Sequence, residues 1–591
     1  MRRTLPLLCI LLFAFALRVH WLGRQELRGD EAFSWNYART SPAEILARIV
    51  REGDPQPPLH YWLLWGWMRL TGDSEFAMRA ESAFLSLLLV PFVYATGRRL
   101  WSAEVGLAAA ALTAVHPQQI WLAQDVRNMY QLALVALLAA TVLLPRLGHK
   151  GWRARAGYAA CGALAMYSHY YSLFILIAHG AYILGLGKDR KPALVHWIVA
   201  GGAIAALTIP WAVAILPVYA GGQLADPGSL SLPHYAAAVL GDVAAGPVFP
   251  DPQRLIIAAS LGALCLVGLW AAPRRIRALL PAIIAVPFVG IYAIVALRST
   301  FNAFYYVFAF PAVVLPAAGG WVAIRRARPA IGWAVLAVAL LTFGAGLRNH
   351  YTDPQYSKTR GMRQVAARLA EAAQPGDVYL ANFPDPAQVY YIRNLKLSYA
   401  MQPPTAHFDP AAVNAALDRL SANRTWFVPV IAAQLDAEGY VQSRLLDTAL
   451  LAEDDRFDKM RLMLFLPPSA ANPLNIQFDA GISLVGYTLT PDRLTLVWVA
   501  ESPVAADYTV FVHALAPDGY RVTGHDAPTR PPTSQWKPGQ RIVDVHTFDI
   551  PADRPISLVA GMYLPATGNR LGIKSAAFGE PEAALVTTLK P

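Results

Sequence analysis

The sequence has 591 residues, which is too long for a single compact domain. Hydrophobic residues make up 55% of the chain and its mean hydropathy is +0.35, values that exclude an ordinary soluble protein. The formal net charge is +11, and basic residues recur in the short turns between the apolar runs of the first 347 or so residues. This placement indicates membrane topology and argues against a nucleic-acid partner.

Long apolar runs occupy the sequence from its start to about residue 347, and a bilayer crossing takes roughly 20 such residues. The first run lacks a small-residue cleavage site after it, so we interpret it as a membrane anchor and not as a signal peptide. The sequence predicts an α-helical polytopic membrane domain over 1–349 with about 11 transmembrane helices. The predicted spans are about 4–22, 76–97, 105–123, 130–146, 157–171, 172–187, 197–217, 253–272, 278–297, 304–323 and 331–347.

The charges in the turns between these runs predict which side of the membrane each turn faces. If the N-terminus is inside, every turn assigned to the cytoplasm is basic, as the positive-inside rule requires. Because the number of predicted crossings is odd, the tail after residue 349 is expected outside the membrane. The turns assigned outside carry acidic and aromatic residues: 23–75, 124–129, 168–172, 218–252 and 298–303.

The first outer loop, residues 23–75, is too long to be a simple connector, and it contains the adjacent acids Asp30 and Glu31. Two neighbouring carboxylates at a membrane surface are costly to hold together unless a cation or a transferred proton needs them there. The pair is therefore the first candidate for a functional site.

Later in this loop, the aromatic run 57–67 predicts a helix lying on the outer leaflet, with proline at its start. The rigid turn before the run points Asp54 and Gln56 back toward the membrane surface. A surface helix that only supports the fold is an equal alternative.

The turn between the third and fourth apolar runs brings Asp125, Arg127 and Tyr130 to the same predicted edge of the membrane. An arginine carries a fixed charge and a fork of N–H donors that suits a phosphate. The alternative is an exposed Asp125–Arg127 ion pair, which contributes little by itself.

Two later outer turns add His169, Arg298 and Tyr305. A single histidine is more often a hydrogen-bonded structural group than a ligand, and this alternative stays open for His169. Taken together, paired acids, arginines and aromatic rings suit a substrate that carries both a phosphate and a sugar: arginines bind phosphate, rings stack on the sugar and a carboxylate takes a hydroxyl proton.

The tail reads as two soluble domains. Alternating helix and strand patterns predict an α/β domain over 350–470. This stretch contains no glycine-rich fingerprint, so we expect no nucleotide site in it. Short, regularly spaced strands predict a β-sandwich over 471–591. Trp498, Tyr520 and Trp536 are candidates for a carbohydrate platform on this sandwich, or else they fill its core.

Several motifs carry a resemblance to a known group, and they cover roughly residues 5–350. The sequence resembles the GT-C superfamily of membrane glycosyltransferases, in particular the branch of protein O-mannosyltransferases and lipid A aminoarabinose transferases. The resemblance implies an inverting enzyme that takes a sugar from a polyprenyl-phosphate carrier. The motifs are Gly29-Asp30-Glu31, Gln56-Pro-Pro-Leu-His-Tyr61, Trp121-Leu-Ala-Gln-Asp125-Val-Arg127-Asn-Met-Tyr130 and Ser168-His-Tyr-Tyr171.

Carried over to this sequence, the resemblance implies that Asp30 is the catalytic carboxylate and that Glu31 positions a substrate beside it. Relatives often have an Arg-Tyr pair at the late helix, whereas here the nearest arginine before Tyr305 is Arg298. Some relatives carry an acid or a histidine where this chain has Gln56, which weakens a metal ligand at that position. The residues expected to bind the donor are Gln56, His60, Tyr61, Gln124, Asp125, Arg127, Tyr130, His169, Tyr170, Arg298 and Tyr305.

No cofactor is required by this chemistry, because arginines can neutralise a leaving phosphate. A divalent metal is possible, and if one takes part then Glu31 or Asp125 is its expected ligand. The expected partners are a polyprenyl-phosphate-linked sugar, membrane lipids and an acceptor that is a glycan, a lipid or a protein.

The function predicted is therefore a glycosyltransferase in a bacterial inner membrane, with its C-terminal domains extracytoplasmic. The main alternative is a polytopic transporter or flippase of a lipid-linked sugar. A transporter predicts charged residues at helix midpoints and repeated halves, whereas the acids here cluster in the outer turns.

Overall fold

The structure is a computed structural model, and the chain forms two compact units, Met1–Thr359 and Arg360–Pro591. The stretch 350–359, which the sequence pattern assigned to the tail, belongs to the first unit. The structure describes residues 5–54, 56–147, 152–186, 190–220, 230–297, 301–404, 408–430, 435–436, 438–467, 472–490, 493–529, 531–539, 541–547, 555–574, 579–580 and 582–590.

The described part of the first unit is helical. Short 3₁₀ turns at Leu144–Arg146 and Ala303–Ala309 extend α8 and precede α15. The helices are α1 (Leu5–Val19), α2 (Gly29–Ala38), α3 (Pro42–Glu52), α4 (Leu59–Thr71), α5 (Glu75–Leu100), α6 (Ala103–Val115), α7 (Pro117–Ala123), α8 (Met129–Leu143), α9 (Trp152–Ser168), α10 (Ser172–Leu184), α11 (Arg190–Ala220), α12 (Leu232–Ala245), α13 (Asp251–Ala271), α14 (Arg274–Val295), α15 (Phe310–Ala327) and α16 (Pro329–Thr352).

Among the described residues, 7 helical segments are long and apolar enough to cross a membrane, and α1, α6 and α10 are shorter apolar helices. The helical polytopic core is therefore confirmed, whereas the count of eleven crossings stays a prediction. One predicted crossing, 105–123, consists of two helices. The chain is extended at His116, where α6 ends, and α7 starts at Pro117, because proline suits the first position of a helix and cannot continue one.

Small residues bring neighbouring membrane helices close together. A Cβ atom on Gly97 of α5 would lie 2.7 Å from the Cα atom of Gly106 on α6, closer than real Cβ atoms approach. On α15, a Cβ atom on Gly320 would overlap the carbonyl oxygen of Leu264 on α13. Such close backbone contacts supply the van der Waals packing that holds helices together in lipid.

The first outer loop folds into α2, α3 and α4, and α4 is the helix that the aromatic run 57–67 predicted. Ser41 caps α3 by accepting a hydrogen bond from the backbone N–H of Glu44. Tyr37 of α2 stacks on Tyr61 of α4, with ring centroids 4.8 Å apart, in a small core that also contains Ile45 and Ile49 of α3. This packing fixes the residues between α3 and α4 against α2.

The second unit begins with a sheet covered on both faces. The strand order is β2-β1-β3-β5-β4, with β1 parallel to β2 and β3, and β5 antiparallel to β3 and β4. Apolar side chains of α17 pack on one face, and those of α19 and α20 pack on the other. The elements are α17 (Met362–Ala372), β1 (Val378–Ala381), α18 (Pro386–Ile392), β2 (Ser398–Met401), α19 (Pro410–Leu420), β3 (Thr425–Val428), α20 (Tyr440–Thr448), β4 (Leu450–Phe457) and β5 (Met460–Leu466).

Two further sheets enclose a common core in the rest of the unit. Their strand orders are β10-β9-β12-β14-β13 and β11-β8-β7-β6, and both contribute to one apolar cluster. The C-terminal β-rich domain is thus confirmed. The strands are β6 (Asn472–Phe478), β7 (Ile482–Thr490), β8 (Arg493–Ala500), β9 (Thr509–Leu515), β10 (Arg521–Pro528), β11 (Arg541–Thr547), β12 (Ile556–Tyr563), β13 (Gly579–Glu580) and β14 (Ala583–Leu589).

The carbohydrate platform suggested for this domain is wrong for two of its three aromatic residues. Trp498 is 0% exposed and Trp536 is 3% exposed, whereas Tyr520 is 73% exposed. The indole N–H of Trp498 donates to Asp544 Oδ2 at 3.1 Å, and that of Trp536 donates to the Pro531 carbonyl oxygen at 3.0 Å. These two rings fill the core because their large apolar faces are buried while their N–H groups find acceptors.

Candidate active site

A cavity of about 310 Å³ lies in the first unit, and several predicted site residues line it. Its walls come from α2, the segment between α3 and α4, α4 itself, the connection before α8 together with the first turn of α8, and the turn before α15. The structure thus brings together residues from three of the five outer turns that the sequence placed on one side, or next to those turns. The lining residues are Asp30, Phe33, Ser34, Asp54, Gln56, Tyr61, Arg127, Tyr130, Asn302 and Tyr305.

Asp30 lies in the first turn of α2, where the helix dipole favours a negative charge. Its side chain is 52% exposed and faces two cations. Arg127 Nη1 is 3.0 Å from Asp30 Oδ2, and Arg28 Nη2 is 3.5 Å from the same oxygen. The predicted catalytic carboxylate of Asp30 therefore lines the cavity, and so does Arg127, with which it forms an ion pair.

Glu31 points away from the cavity into the helix bundle, where it is fully buried. Arg79 of α5 donates two hydrogen bonds to its carboxylate, from Nε at 2.8 Å and from Nη2 at 2.9 Å. The backbone N–H groups of Arg28 and Val126 donate at 3.1 Å each. Burial alone raises the pKa of Glu31, but Arg79 and Lys358 hold it below its ordinary value. Glu31 joins α2, α5 and the segment before α8, so its placement suits a positioning role.

Asp125 is also fully buried and does not line the cavity. Its Oδ2 accepts a hydrogen bond from Arg28 Nη2 at 2.8 Å. Its Oδ1 accepts no hydrogen bond within the described part of the chain and lies 3.8 Å from Lys358 Nζ. The same Arg28 group thus contacts Asp125 and Asp30, which links a buried carboxylate to the cavity.

Lys358 is a charged group of this region that the sequence interpretation missed. It follows α16, and its buried Nζ donates a hydrogen bond to the carbonyl oxygen of Gln124 at 2.7 Å. Burial lowers the pKa of Lys358 to about 8, against the opposing effect of Asp125 and Glu31. No sequence motif marks this lysine, since it lies in the segment that joins the last apolar run to the tail.

Arg127 supplies the cation of the cavity wall. Its side chain is 15% exposed, and its Nε has no hydrogen-bond partner among the described residues. Burial works against its charge, but the pKa of Arg127 is raised because Tyr130, Asp30 and Asp125 lie nearby. It is therefore a permanent cation with donors that a phosphate oxygen can use.

Asp54 is a second carboxylate in the cavity wall. Tyr61 Oη donates a hydrogen bond to its Oδ2 at 2.6 Å, and the backbone N–H of Gln56 donates to its Oδ1 at 3.1 Å. Burial raises the pKa of Asp54, and the hydrogen bond from Tyr61 opposes this shift. Because a carboxylate has about four acceptor positions, Asp54 keeps capacity for a further donor.

Other predicted site residues lie behind the cavity wall. The His169 ring packs against Tyr130 and Tyr305, with centroids 5.5 Å and 5.9 Å away. The Tyr170 hydroxyl accepts a hydrogen bond from Trp211 Nε1 at 2.8 Å. The His169 ring can orient the two lining tyrosines without reaching the cavity itself, whereas Tyr170 contacts Trp211 behind the wall.

Two more predicted residues are buried, and a third lies outside the described residues. Gln124 Nε2 donates to the carbonyl oxygens of Arg18 and His20, at 3.0 Å and 2.8 Å. His60 is buried, and neither ring nitrogen has a hydrogen-bond partner in the described part of the chain. Burial lowers the pKa of His60 to about 3, so the ring is neutral. Arg298 lies outside the described residues.

The described residues do not form a metal site around the two suggested ligands. No group of three or more His, Cys, Asp and Glu side chains that could hold a metal is found among them. Glu31 is paired with Arg79, and Asp125 with Arg28. Because protein cations already neutralise both carboxylates, we derive no step through a metal.

Comparisons with known proteins agree with this architecture. Residues 55–214 match the family model described as dolichyl-phosphate-mannose-protein mannosyltransferase. The crystal structure of ArnT from Cupriavidus metallidurans in the apo state is similar to this chain, with a TM-score of 0.52 and 14% identity over 77% of this chain and 97% of that one. The fold is that of the GT-C membrane glycosyltransferases. With these two findings, the predicted resemblance to the GT-C superfamily is confirmed.

Two further solved structures are similar to this chain, one with a bound lipid phosphate and one in an apo form. ArnT from Cupriavidus metallidurans bound to undecaprenyl phosphate has a TM-score of 0.52 and 15% identity over 78% of this chain and 98% of that one. The Archaeoglobus fulgidus oligosaccharyltransferase in the apo form has a TM-score of 0.47 and 10% identity over 98% of both chains. The comparison with curated proteins gives no match. The predicted enzyme class, a glycosyltransferase, agrees with the family model over residues 55–214 and with the fold shared with ArnT.

Proposed function

We propose that this GT-C protein transfers a sugar from a polyprenyl-phosphate donor to an acceptor hydroxyl, with inversion at the anomeric carbon. The ion pair between Asp30 and Arg127 in the cavity wall is the observation that supports this most directly. It places a proton acceptor and a phosphate-binding fork in one cavity. ArnT, which has a similar fold, was solved with undecaprenyl phosphate, a ligand of the proposed donor class.

The reaction needs one base and one phosphate clamp. The acceptor oxygen attacks the anomeric carbon, and the bond from that carbon to the phosphate oxygen breaks. The electron pair of this bond leaves with the polyprenyl phosphate, whose charge Arg127 neutralises. The acceptor proton passes to Asp30. A single displacement of this kind inverts the configuration and forms no covalent intermediate with the protein.

The donor phosphate and Asp30 compete for Arg127 in this scheme. Without donor, Arg127 Nη1 lies 3.0 Å from Asp30 Oδ2. The phosphate carries the same sign of charge as the carboxylate, so it can take over the Arg127 fork. Once the phosphate occupies Arg127, Asp30 is released from this ion pair beside the sugar.

The remaining lining residues suit the sugar. Tyr130 and Tyr305 present aromatic rings, and Asp54, Ser34 and Asn302 present hydrogen-bonding groups to the cavity. Sugar hydroxyls need such donors and acceptors, whereas the apolar face of a sugar ring packs on aromatic side chains. Gln56, Asp54 and Tyr61 close the wall between α3 and α4.

We also propose the finer topology that the charge pattern predicts: eleven crossings, a cytoplasmic N-terminus and extracytoplasmic C-terminal domains in a bacterial inner membrane. The proposed division of the second unit is into the domains 360–470 and 471–591. A cysteine introduced at the exposed Tyr520 tests the side of the tail. It should react with a membrane-impermeant maleimide in intact spheroplasts, and labelling only after lysis contradicts the topology.

The experiment that tests the function uses the full chain in lipid nanodiscs with radiolabelled undecaprenyl phosphate mannose and bacterial membranes as the acceptor source. We expect transfer of the label, and loss of transfer in Asp30→Asn with an unchanged elution profile in detergent. Asp251→Asn, at a carboxylate whose side chain is 88% exposed, is the matched control. Near wild-type transfer by Asp30→Asn contradicts the role of Asp30. Movement of the donor across liposome membranes without transfer supports the flippase alternative instead.

A further inference from the structure

Four charged groups form a continuous series from the end of the membrane domain to the cavity. Lys358 Nζ lies 3.8 Å from Asp125 Oδ1, and Asp125 Oδ2 accepts a hydrogen bond from Arg28 at 2.8 Å. The same Arg28 nitrogen lies 3.5 Å from Asp30 Oδ2. Lys358, Asp125, Arg28 and Asp30 thus alternate in charge, and only the last of them lines the cavity.

Lys358 is held firmly in its place. Its backbone N–H donates to Gln25 Oε1 at 3.0 Å, and its Nζ donates to the Gln124 carbonyl oxygen at 2.7 Å. Nζ lies 4.5 Å from the centre of the Trp121 ring, and the guanidinium of Arg28 lies 4.9 Å from that ring. The Trp121 face therefore supports both cations, a contact that gains strength when water is excluded.

Charged side chains of both signs, from α2, from α5 and from the segments before α2 and α8, lie near Lys358. Glu31 of α2 and Asp125 before α8 attract it, whereas Arg79 of α5 and Arg28 repel it. A further neighbour is the His350 ring of α16, whose Nε2 lies 2.9 Å from Gln124 Oε1. Lys358 Nζ lies 3.8 Å from Asp125 Oδ1, the buried oxygen that accepts no hydrogen bond in the described part of the chain.

We propose that Lys358 is a positioning residue of the transfer site, which keeps Arg28 on Asp30 by sharing the negative charge of Asp125. This inference rests on the proposed transfer reaction. Without Lys358, Arg28 is the cation left in contact with Asp125 among the described residues, and the fully buried Asp125 draws it away from Asp30 and the cavity. Asp30 then loses one of the two cations that orient it, and a shift of about 1 Å at a reacting group can lower turnover about 100-fold.

The experiment measures transfer from undecaprenyl phosphate mannose by full-length Lys358→Met, Lys358→Arg and the exposed-lysine control Lys396→Met in nanodiscs. We expect Lys358→Met to lower kcat at least about ten-fold, with the KM for the donor unchanged because Lys358 does not line the cavity. Lys358→Arg should restore most of the turnover, and Lys396→Met should equal the wild type. Wild-type turnover by Lys358→Met, or a lack of rescue in a folded Lys358→Arg, overturns the proposal.

A double variant covers the case in which Lys358→Met does not fold. If Lys358 acts through the charge of Asp125, then Lys358→Met/Asp125→Asn should transfer sugar at the same rate as Asp125→Asn alone. If the double variant instead loses turnover by the product of the two single losses, the positioning role of Lys358 is overturned, and the transfer activity of the wild type is not affected by that result. Absence of transfer by the wild type, with any tested lipid-linked donor, instead overturns the proposed function and this inference with it.

Discussion

The Tyr61 hydroxyl donates a hydrogen bond to Asp54 Oδ2 at 2.6 Å, in the wall of the cavity that Asp30 also lines. The pair comes from the two ends of one short segment, since Asp54 follows α3 and Tyr61 lies in the first turn of α4. The hydrogen bond fixes one carboxylate oxygen and leaves the group able to accept from a substrate hydroxyl. Asp54 therefore presents a fixed acceptor to the cavity.

Asp54→Asn should weaken donor binding. Losing a hydrogen bond to a charged group costs about 1.5–3 kcal/mol, so we expect the KM for the lipid-linked sugar to rise at least about ten-fold. Steady-state kinetics with undecaprenyl phosphate mannose measure this. Glu52→Gln is the control, because Glu52 binds Tyr37 and Arg48 outside the cavity. An unchanged KM in Asp54→Asn means that Asp54 does not contact the donor.

Arg127→Lys should lower turnover at least about 100-fold although the charge is kept. A lysine offers a point charge instead of a planar fork, and removing an oriented donor to a charged transition state costs about 10²–10³ in kcat. The exposed Arg69→Lys is the matched control. If Arg127→Lys keeps wild-type turnover, then the fork is not the phosphate clamp.

Acid should destabilise the first unit through Glu31. The folded pKa of Glu31 is below its unfolded value, so its contribution to stability is present above the unfolded pKa of about 4.5 and is lost as pH falls toward the folded value. Glu31→Gln removes this contribution at all pH values and leaves Arg79 buried without its carboxylate, which costs about 3–5 kcal/mol.

Thermal unfolding in detergent between pH 7 and pH 3 measures this effect, because the loss begins near the unfolded pKa of about 4.5 and grows as the pH falls further. The wild type should lose stability toward pH 3 more steeply than Glu31→Gln, whose Tm at pH 7 should already be lower. Equal slopes in the two proteins contradict the role assigned to the Glu31–Arg79 pair.

Gly320→Ala should destabilise the helix bundle. A Cβ atom there overlaps the backbone carbonyl of Leu264, which cannot move away without shifting α13, and such overpacking costs about 1–3 kcal/mol. Gly262→Ala on α13 is the control, because a Cβ atom at Gly262 meets no atom within 4 Å. A lower Tm in Gly320→Ala than in Gly262→Ala supports close α13–α15 packing. Equal values exclude it.

The membrane core and its site motifs were predictable because apolar length and charge placement are local properties of the sequence. The motif around Asp30 was found in this way, and the cavity contains Asp30, Arg127, Tyr130 and Tyr305 as the shared outer placement suggested. Local patterns also predicted a helix after Gln56, which the structure shows as α4.

Other features depended on contacts between distant segments. Glu31 and Asp30 are neighbours in the sequence, but successive helix residues point about 100° apart, so one enters the bundle while the other faces the cavity. Strand periodicity could not tell which tryptophans face the core, and Trp498 and Trp536 proved to be buried.

The sequence by itself determined a helical membrane core with acids and arginines in its connecting turns, followed by a β-rich domain, and its motifs resemble those of the GT-C superfamily. The membrane core, the turns and the strands follow from hydropathy, charge and residue periodicity, which act over short stretches of chain. Only the tertiary structure decided which charged side chains are buried and which of them lie close together. Lys358 and Asp125 are 233 positions apart in the sequence, yet their side chains lie 3.8 Å apart. The cost of burying each charge is met by a partner that the fold, and not the local sequence, brings to it.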